Sequence, residues 1–266
     1  MVLYKILLNY INLKLVFKVI ALVCICLWSN AYSVENSENE RDKNMKIAII
    51  TAMQSEFDAV HSLYNFKGDN KEAIAKVYGM EILLIKSGIG KVHGALAAQK
   101  AFEAGADLVI NTGLAGGIDK SLEQGDIVLA DKVGYHDVYC GEGNAKGQVQ
   151  DLPLYYMAPQ NLIQKLAKQA PEFHVGLIVT GDQFVNDVNH LKEIKQDFLE
   201  AQAVDMESAA IAQTCYLNNI SYLSLRIISD VVGKPNQEDQ FNNFWKNVPT
   251  KASEMVDKAL KIISTN

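Results

Sequence analysis

Three acidic residues stand directly after short apolar runs of the sequence. Glu56 follows the run KIAII, Glu207 follows the segment AVDM, and Asp230 ends the run YLSLRIIS. Carboxyl groups act as general acids, as general bases and as acceptors for hydroxyl groups. Each also has an ordinary explanation, because acids favour the first turn of a helix and Asp often ends a strand. Taken together, the three form a candidate acid–base site.

Two glycine-rich segments occupy equivalent positions in the sequence. SGIGK at 87–91 and TGLAGG at 112–117 are expected at strand-to-helix junctions, where their backbone N–H groups would face a small ligand. Neither segment has the spacing of a dinucleotide-binding or phosphate-binding loop. Ligands of α/β proteins bind beyond the carboxyl ends of the strands. One crevice is therefore expected to collect both segments together with the three carboxylates.

The elements that must position these groups alternate along the chain. Apolar runs typical of strands buried on both faces occur at 46–50, 81–86, 107–111, 126–130, 175–180 and 222–228. Helical patterns occur between or after them at 55–64, 92–105, 159–169, 207–217 and about 240–263. This alternation predicts an α/β fold, a three-layer sandwich with a central mixed, mainly parallel twisted sheet flanked by helices.

Composition excludes several classes of function. The 266 residues include 25 Lys and Arg against 31 Asp and Glu, and a net charge of −6 gives no general attraction to nucleic acid. Arg41 and Arg226 are the only arginines, which excludes a phosphate site built from several arginines. The sequence has no CxxC pair and no His/Cys cluster, so we predict neither a metal site nor a cofactor.

The first 44 residues differ from the rest of the chain. Lysines precede an apolar stretch at 19–28, and small residues at 29 and 31 are typical of a cleavage site. We predict a signal peptide over 1–31, a disordered linker over 32–44 and one folded domain over 45–266. The expected location is periplasmic, without stable membrane insertion after cleavage. An uncleaved membrane anchor and a cytoplasmic form initiated at Met45 are the alternatives.

Two cysteines, Cys140 and Cys215, remain beyond the predicted signal peptide. Export permits a disulfide between them. Cys215 lies in an apolar helical pattern, however, where a free cysteine behaves as a small hydrophobic residue. We favour the free form.

From Met45 to about Ile263 the sequence resembles the bacterial 5′-methylthioadenosine/S-adenosylhomocysteine nucleosidases of the purine nucleoside phosphorylase superfamily. The resemblance is carried, in the order found in the family, by MKIAIITAMQSEF, KSGIGKV, NTGLAGG, GDIV, YHD, GDQFV, VDMES and RIISD. It implies a central mixed sheet and hydrolysis of the N-glycosidic bond of adenine thionucleosides, with release of adenine. It also implies a homodimer whose partner helps to wall the pocket.

The resemblance assigns roles to residues of these motifs. Glu56 would activate the attacking water, Glu207 would hold the ribose 2′ and 3′ hydroxyls, and Asp230 would be the general acid at adenine N7. Phe184 would stack on the base, and the Val185 backbone would read its Watson–Crick edge. The remaining substrate contacts are implied for Met206 under the ribose, for Ser229 beside the general acid, and for Met53, Ile89 and Phe241 at the thioalkyl end.

Elementary chemistry agrees with these roles. Adenine is a poor leaving group as an anion, so protonation at N7 lowers the barrier, and the sugar passes through an oxocarbenium-like state. Asp230 then needs a raised pKa, which burial at the end of an apolar strand would supply. Arg226 is expected on the same face of that strand, where it either stabilises ionised Asp230 or pairs elsewhere. The scarcity of arginine favours water over phosphate as the nucleophile.

Two positions depart from the family pattern. Leu114 stands where Ser is usual, and Asp205 stands where Glu is common. The segment 138–157 follows the family poorly, which leaves the 5′ substituent of the substrate open.

The alternative functions are a hydrolase or phosphorylase of another purine nucleoside and a non-catalytic periplasmic nucleoside-binding protein.

Overall fold

The computed structural model describes residues 45–247 and 251–265. The predicted signal peptide and linker lie outside these residues. Within the described ranges, no helix combines the length and the apolar character that crossing a membrane requires. Cys140 is exposed and Cys215 is buried, and both are free.

The described residues form one mixed sheet, as predicted. Its ten strands are β1 (Lys46–Thr51), β2 (Lys67–Gly68), β3 (Glu72–Val77), β4 (Met80–Lys86), β5 (Leu108–Gly117), β6 (Ile127–Tyr135), β7 (Tyr156–Met157), β8 (Phe173–Thr180), β9 (Ala201–Asp205) and β10 (Ser221–Val231). The described residues also form seven helices, which cover the sheet. They are α1 (Gln54–His61), α2 (Lys91–Glu103), α3 (Gln160–Gln169), α4 (Val188–Asp197), α5 (Ser208–Leu217), α6 (Gln237–Asn247) and α7 (Lys251–Ile263).

The strand order is β10-β6-β8-β9-β5-β1-β4-β3-β2, with β7 beside β6. Strand β10 also pairs with β5, so β10, β6, β8, β9 and β5 form a closed ring. The central pairings of β1 with β4 and β5, and of β5 with β10, are parallel. Their carboxyl ends therefore lie at the same edge of the sheet.

The central strands β1 and β4 are buried on both faces because almost all of their residues are apolar. In β1, Ile47 and Ile49 enter one hydrophobic core, while Ala48 and Ile50 enter a second. Helix α7 contributes to the first core and helix α2 to the second. Helices α2 and α5 pack against each other through their small buried residues, among which is Gly94. This sandwich is the predicted architecture.

One prediction of local structure was wrong. TGLAGG is not a loop, since β5 continues through Gly117. A Cβ on Gly116 would lie 3.2 Å from Val204 and from Val232, so glycine allows the strand to pack between its neighbours. The last helical pattern, at about 240–263, contains α6, which already begins at Gln237, and α7. Residues 248–250 lie outside the described residues.

Candidate active site

A cavity of about 350 Å³ opens at the carboxyl edge of the sheet. Its lining combines the ends of β1, β9 and β10 with part of β5 and the segments after β4 and β8. All ten residues singled out from the sequence line it: Met53, Glu56, Ile89, Phe184, Val185, Met206, Glu207, Ser229, Asp230 and Phe241. The structure thus brings together carboxylates that are up to 174 positions apart in the sequence. The other lining residues are Ala52, Leu114, Ala115, Gly116, Gln183, Val204, Asp205 and Arg226.

Glu56 is fixed by backbone donors at the start of α1. Its Oε2 accepts hydrogen bonds from the N–H groups of Ala52 and Met53, both at 2.8 Å, and its Oε1 accepts from Leu114 N–H at 2.9 Å. The bond to Met53 is half of a capping box, so the carboxylate also stabilises the helix start. Burial raises the pKa of Glu56 above its ordinary value, although Arg226 and the backbone donors oppose this shift. A carboxylate of raised pKa is a better proton acceptor near neutral pH.

Gly113 makes room for this carboxylate. A Cβ at this position would lie 2.5 Å from Glu56 Oε1 and 2.8 Å from Arg226 Nη1, well inside contact distance. Its φ of +146° is also one that L side chains rarely adopt. Only glycine therefore allows Glu56 and Arg226 to approach the same point of β5.

Arg226 pairs with two acids rather than with Asp230. Its Nη2 lies 2.7 Å from Asp205 Oδ2 and 3.1 Å from Glu207 Oε2, and all three side chains are buried. The pairing in β10 and β5 shifts register between Ile228 and Asp230, which interrupts the regular alternation of faces between Arg226 and Asp230. The sequence left open whether Arg226 stabilises Asp230 or pairs with another group. In the structure it pairs with other groups, Asp205 and Glu207.

Glu207 lies immediately before α5, where its Oε1 accepts a hydrogen bond from Gly90 N–H at 2.9 Å. Burial raises the pKa of Glu207 to about 7, against the attraction of Arg226 and with a smaller contribution from Asp205. The neighbouring Asp205 is held by the Thr180 hydroxyl at 2.6 Å and by Ser208. Both carboxylate oxygens of Glu207 are thus held, Oε1 by Gly90 and Oε2 by Arg226, and the side chain lines the cavity.

Asp230 lies near the end of β10 and is 1% exposed. The Ser229 hydroxyl donates to its Oδ1 at 2.6 Å, and the Gln237 amide donates to its Oδ2 at 2.7 Å. Burial raises the pKa of Asp230, while these two hydrogen bonds lower it. A raised pKa is what a general acid needs in order to hold its proton near neutral pH.

Apolar side chains form the rest of the wall. The rings of Phe184 and Phe241 are 5.1 Å apart between centroids and inclined at 60°. Phe184 is 46% exposed and Ile89 is 51% exposed, which leaves one side of the cavity open. Met53 and Met206 complete an apolar surface suited to a flat base and a thioether chain.

Sequence reasoning missed Gln237 as part of the site. Gln237 begins α6 in a segment without any apolar run, so no pattern drew attention to it. Asp205 was noted only as a departure from the family, although its place at the end of β9 is the kind of position that pointed to the other acids. Gln183 precedes Phe184 in the motif GDQFV and was not singled out.

The sequence of the chain matches a known protein family. The sequence model of the phosphorylase superfamily matches residues 46–261. The chain therefore belongs to this superfamily.

Relatives narrow the assignment. The 5′-methylthioadenosine/S-adenosylhomocysteine nucleosidase of Bacillus licheniformis is 37% identical over 234 residues, which cover 83% of this chain and 100% of the relative. The nucleosidase of the same description from Haemophilus influenzae is 39% identical over 197 residues, which cover 70% of this chain and 86% of the relative. The chain belongs to the 5′-methylthioadenosine/S-adenosylhomocysteine nucleosidases of the phosphorylase superfamily.

Solved structures agree with this membership. The Streptococcus pneumoniae nucleosidase, solved with the transition-state inhibitor MT-ImmA, has a TM-score of 0.76 at 33% identity, covering 82% of this chain and 99% of that one. The Neisseria meningitidis nucleosidase, solved in complex with methylthio-immucillin-A, has a TM-score of 0.74 at 33% identity, covering 81% and 98%.

Proposed function

We propose that this protein hydrolyses the N-glycosidic bond of 5′-methylthioadenosine and S-adenosylhomocysteine and releases adenine. The relatives bear the names of these two nucleosides, and the cavity has acids suited to each half of the reaction. The observation that carries the proposal is the meeting of Glu56, Glu207 and Asp230 around one apolar cavity.

Asp230 supplies the proton in this mechanism. It is transferred to adenine N7 while the bond between C1′ and N9 breaks, so that the electron pair of that bond leaves on a neutral base. The raised pKa of Asp230 keeps a proton available at higher pH than an exposed aspartate would. Ser229 orients the carboxyl group through Oδ1.

Glu56 accepts a proton from the attacking water. A water molecule adds its oxygen to C1′ and gives a proton to Glu56, which completes hydrolysis to adenine and the free sugar. Three backbone N–H groups hold this carboxylate in one orientation. The base is therefore positioned before the water arrives.

Glu207 holds the sugar. Its carboxylate accepts hydrogen bonds from the 2′ and 3′ hydroxyls and stabilises the positive charge that develops on the ring. Arg226 keeps Glu207 in place, and Met206 packs beneath the ribose. Phe184 stacks on the base and the Val185 backbone reads its edge, while Met53, Ile89 and Phe241 contact the thioalkyl group.

Water rather than phosphate is the nucleophile. Among the described residues lining the cavity, Arg226 is the one cationic side chain, and it is already paired with Asp205 and Glu207. A phosphate dianion would meet uncompensated negative charge there. This favours hydrolysis over the phosphorylase alternative.

We also propose a homodimer, which the open side of the cavity supports. Val92 and Leu96 are one turn apart on α2, at 71% and 64% exposure, and Ile89 continues this apolar line to the cavity. A second copy seated on this line would cover the thioalkyl end of the site. Leu96→Lys should convert a dimer to a monomer in sedimentation velocity, and an unchanged sedimentation coefficient would count against this interface.

We also propose export, with salvage of nucleosides outside the cytoplasm. The support is the sequence pattern of residues 1–31. Cell fractionation with N-terminal sequencing of the mature protein tests it. Recovery of the full-length chain in the cytoplasm would contradict it.

The decisive experiment follows release of the purine base by liquid chromatography. Protein lacking residues 1–31 is given methylthioadenosine, S-adenosylhomocysteine, adenosine or inosine, each with and without phosphate. We expect phosphate-independent release from the two thionucleosides. Strict dependence on phosphate would instead establish a phosphorylase, and binding without release would establish a binding protein.

Two variants test the roles of the acids. Asp230→Asn and Glu207→Gln should each lower kcat by at least about 10²-fold, since each removes a charge or proton needed in the transition state. Asp119→Asn is the matched control, because Asp119 bonds to Ser121 and does not line the cavity. Rates near the control value in either active-site variant would contradict its role.

A further inference from the structure

One amide nitrogen joins two functional parts of the site. Gln237 Nε2 lies 2.7 Å from Asp230 Oδ2 and 2.8 Å from the Val185 carbonyl oxygen. Both amide protons are therefore used, one on the proposed proton donor and one on the segment proposed to read the base. Gln237 Oε1 accepts a third hydrogen bond from Gly233 N–H at 3.1 Å.

Gln237 is held rigidly in this position. It is the first residue of α6 and is 5% exposed. One turn later, Gln240 Oε1 accepts a hydrogen bond from Val231 N–H at 3.0 Å, which fastens the same helix to the end of β10. Gln237 does not line the cavity, whereas Asp230 and Val185 do. The amide thus reaches both groups from behind the cavity wall.

We propose that Gln237 is a positioning residue that clamps the Asp230 carboxyl group at a fixed distance from the base-reading segment around Val185. The inference rests on the proposed role of Asp230. A base whose edge lies against Val185 would then present its N7 to the acid in one orientation. Gln237 acts through Asp230 and does not touch the substrate.

The clamp also affects the proton of Asp230. An N–H donor at Oδ2 stabilises the carboxylate, so it opposes the effect of burial on the pKa of Asp230. The acid must give up its proton and later recover it, which requires a pKa close to the working pH. Without the amide, burial would raise the pKa of Asp230 further, and the carboxyl group would hold its proton too tightly.

Two substitutions separate this role from simple packing. Gln237→Met keeps the length of the side chain and removes the donor. Gln237→Glu keeps the length and replaces the donor with an acceptor, which disfavours ionisation of its neighbour further. The basic limb of the kcat/KM profile should move to higher pH by about one unit in Gln237→Met, a tenfold change in the ionisation constant, and further in Gln237→Glu. We expect kcat at the optimum to fall about tenfold in both variants, because the acid is no longer fixed.

Gln240→Met is the matched control. It removes a glutamine from the same helix without touching Asp230 or Val185, so its basic limb should coincide with that of the parent protein. Thermal unfolding of all variants reports packing separately. A lowered Tm with an unmoved basic limb in both Gln237 variants would reduce Gln237 to a structural residue and overturn the proposal.

Two further measurements complete the test. Binding of adenine by calorimetry should be unchanged or weaker in Gln237→Met. Tighter binding with undiminished kcat would mean that the base displaces Gln237, which also overturns the clamp. Asp230→Asn is assayed in parallel. Near-normal activity in that variant contradicts the proposed mechanism, whereas loss of activity there with normal Gln237 variants contradicts the clamp alone.

Discussion

Replacement of Arg226 by methionine is the strongest test of the charge arrangement in this site. Arg226 is 1% exposed, and its Nη2 bridges Asp205 and Glu207 at 2.7 and 3.1 Å. Methionine fills much of the same volume but leaves two buried carboxyl groups without their cation. The expected result is a less stable protein in which Glu207 is protonated over a wider pH range.

The size of the effect follows from the burial of the pair. Loss of one partner of a buried ion pair costs about 3–5 kcal/mol, because the remaining charge stays out of water. In a domain of this size, each kcal/mol lowers Tm by about 2–4 °C, so Arg226→Met should unfold roughly 6–20 °C below the parent protein. Activity at neutral pH should also fall, because a neutral Glu207 stabilises the sugar cation less.

Differential scanning calorimetry and the adenine-release assay measure both effects. Arg226→Met/Asp205→Asn removes the charge nearest to the lost cation and should recover part of the stability, since the Thr180 and Ser208 hydroxyls still serve position 205. A Tm within 2 °C of the parent protein would refute the reasoning. So would a double variant no more stable than the single one.

Two other substitutions test neighbouring features. Gly113→Ala should lower kcat by about 10²-fold with a correctly folded sheet, because its Cβ would displace Glu56 and Arg226; unchanged kcat would show that these side chains yield without loss. Glu207→Gln tests the raised pKa through stability. The folded state holds the proton of Glu207 up to about pH 7, whereas an ordinary glutamate loses it near 4.5, so this group stabilises most below 4.5 and loses that contribution as the pH rises towards 7. Calorimetry from pH 4.5 to 7.5 should therefore show the parent protein losing stability relative to Glu207→Gln, and parallel curves would contradict the shift.

The sequence predicted the strands well because those strands are buried on both faces. Runs such as KIAII and VGLIVT are apolar except for one residue at an end, and few structures other than a covered sheet can bury them. The acids at the ends of these runs were predictable for the same reason, since a charge after a buried strand marks the edge of the sheet. Burial of Asp230, and hence its raised pKa, follows from that position.

Other features depend on contacts that a single sequence does not contain. Arg226 lines the same cavity as Asp230, but strand alternation could not show that it pairs with Asp205 and Glu207 instead. Gln237 becomes significant only because α6 returns to the end of β10.

The glycines of TGLAGG illustrate how a wrong local prediction concealed a useful one. They were expected to form a loop that offers N–H groups, and one of them does lie beside the site as a strand residue. In β5, Gly113 stands opposite Arg226 of β10, and Glu56 reaches the same point from the start of α1. A side chain at Gly113 would occupy the space in which the acid and the guanidinium approach each other. The missing Cβ, rather than an exposed N–H, is what allows groups from three separate elements to form one site.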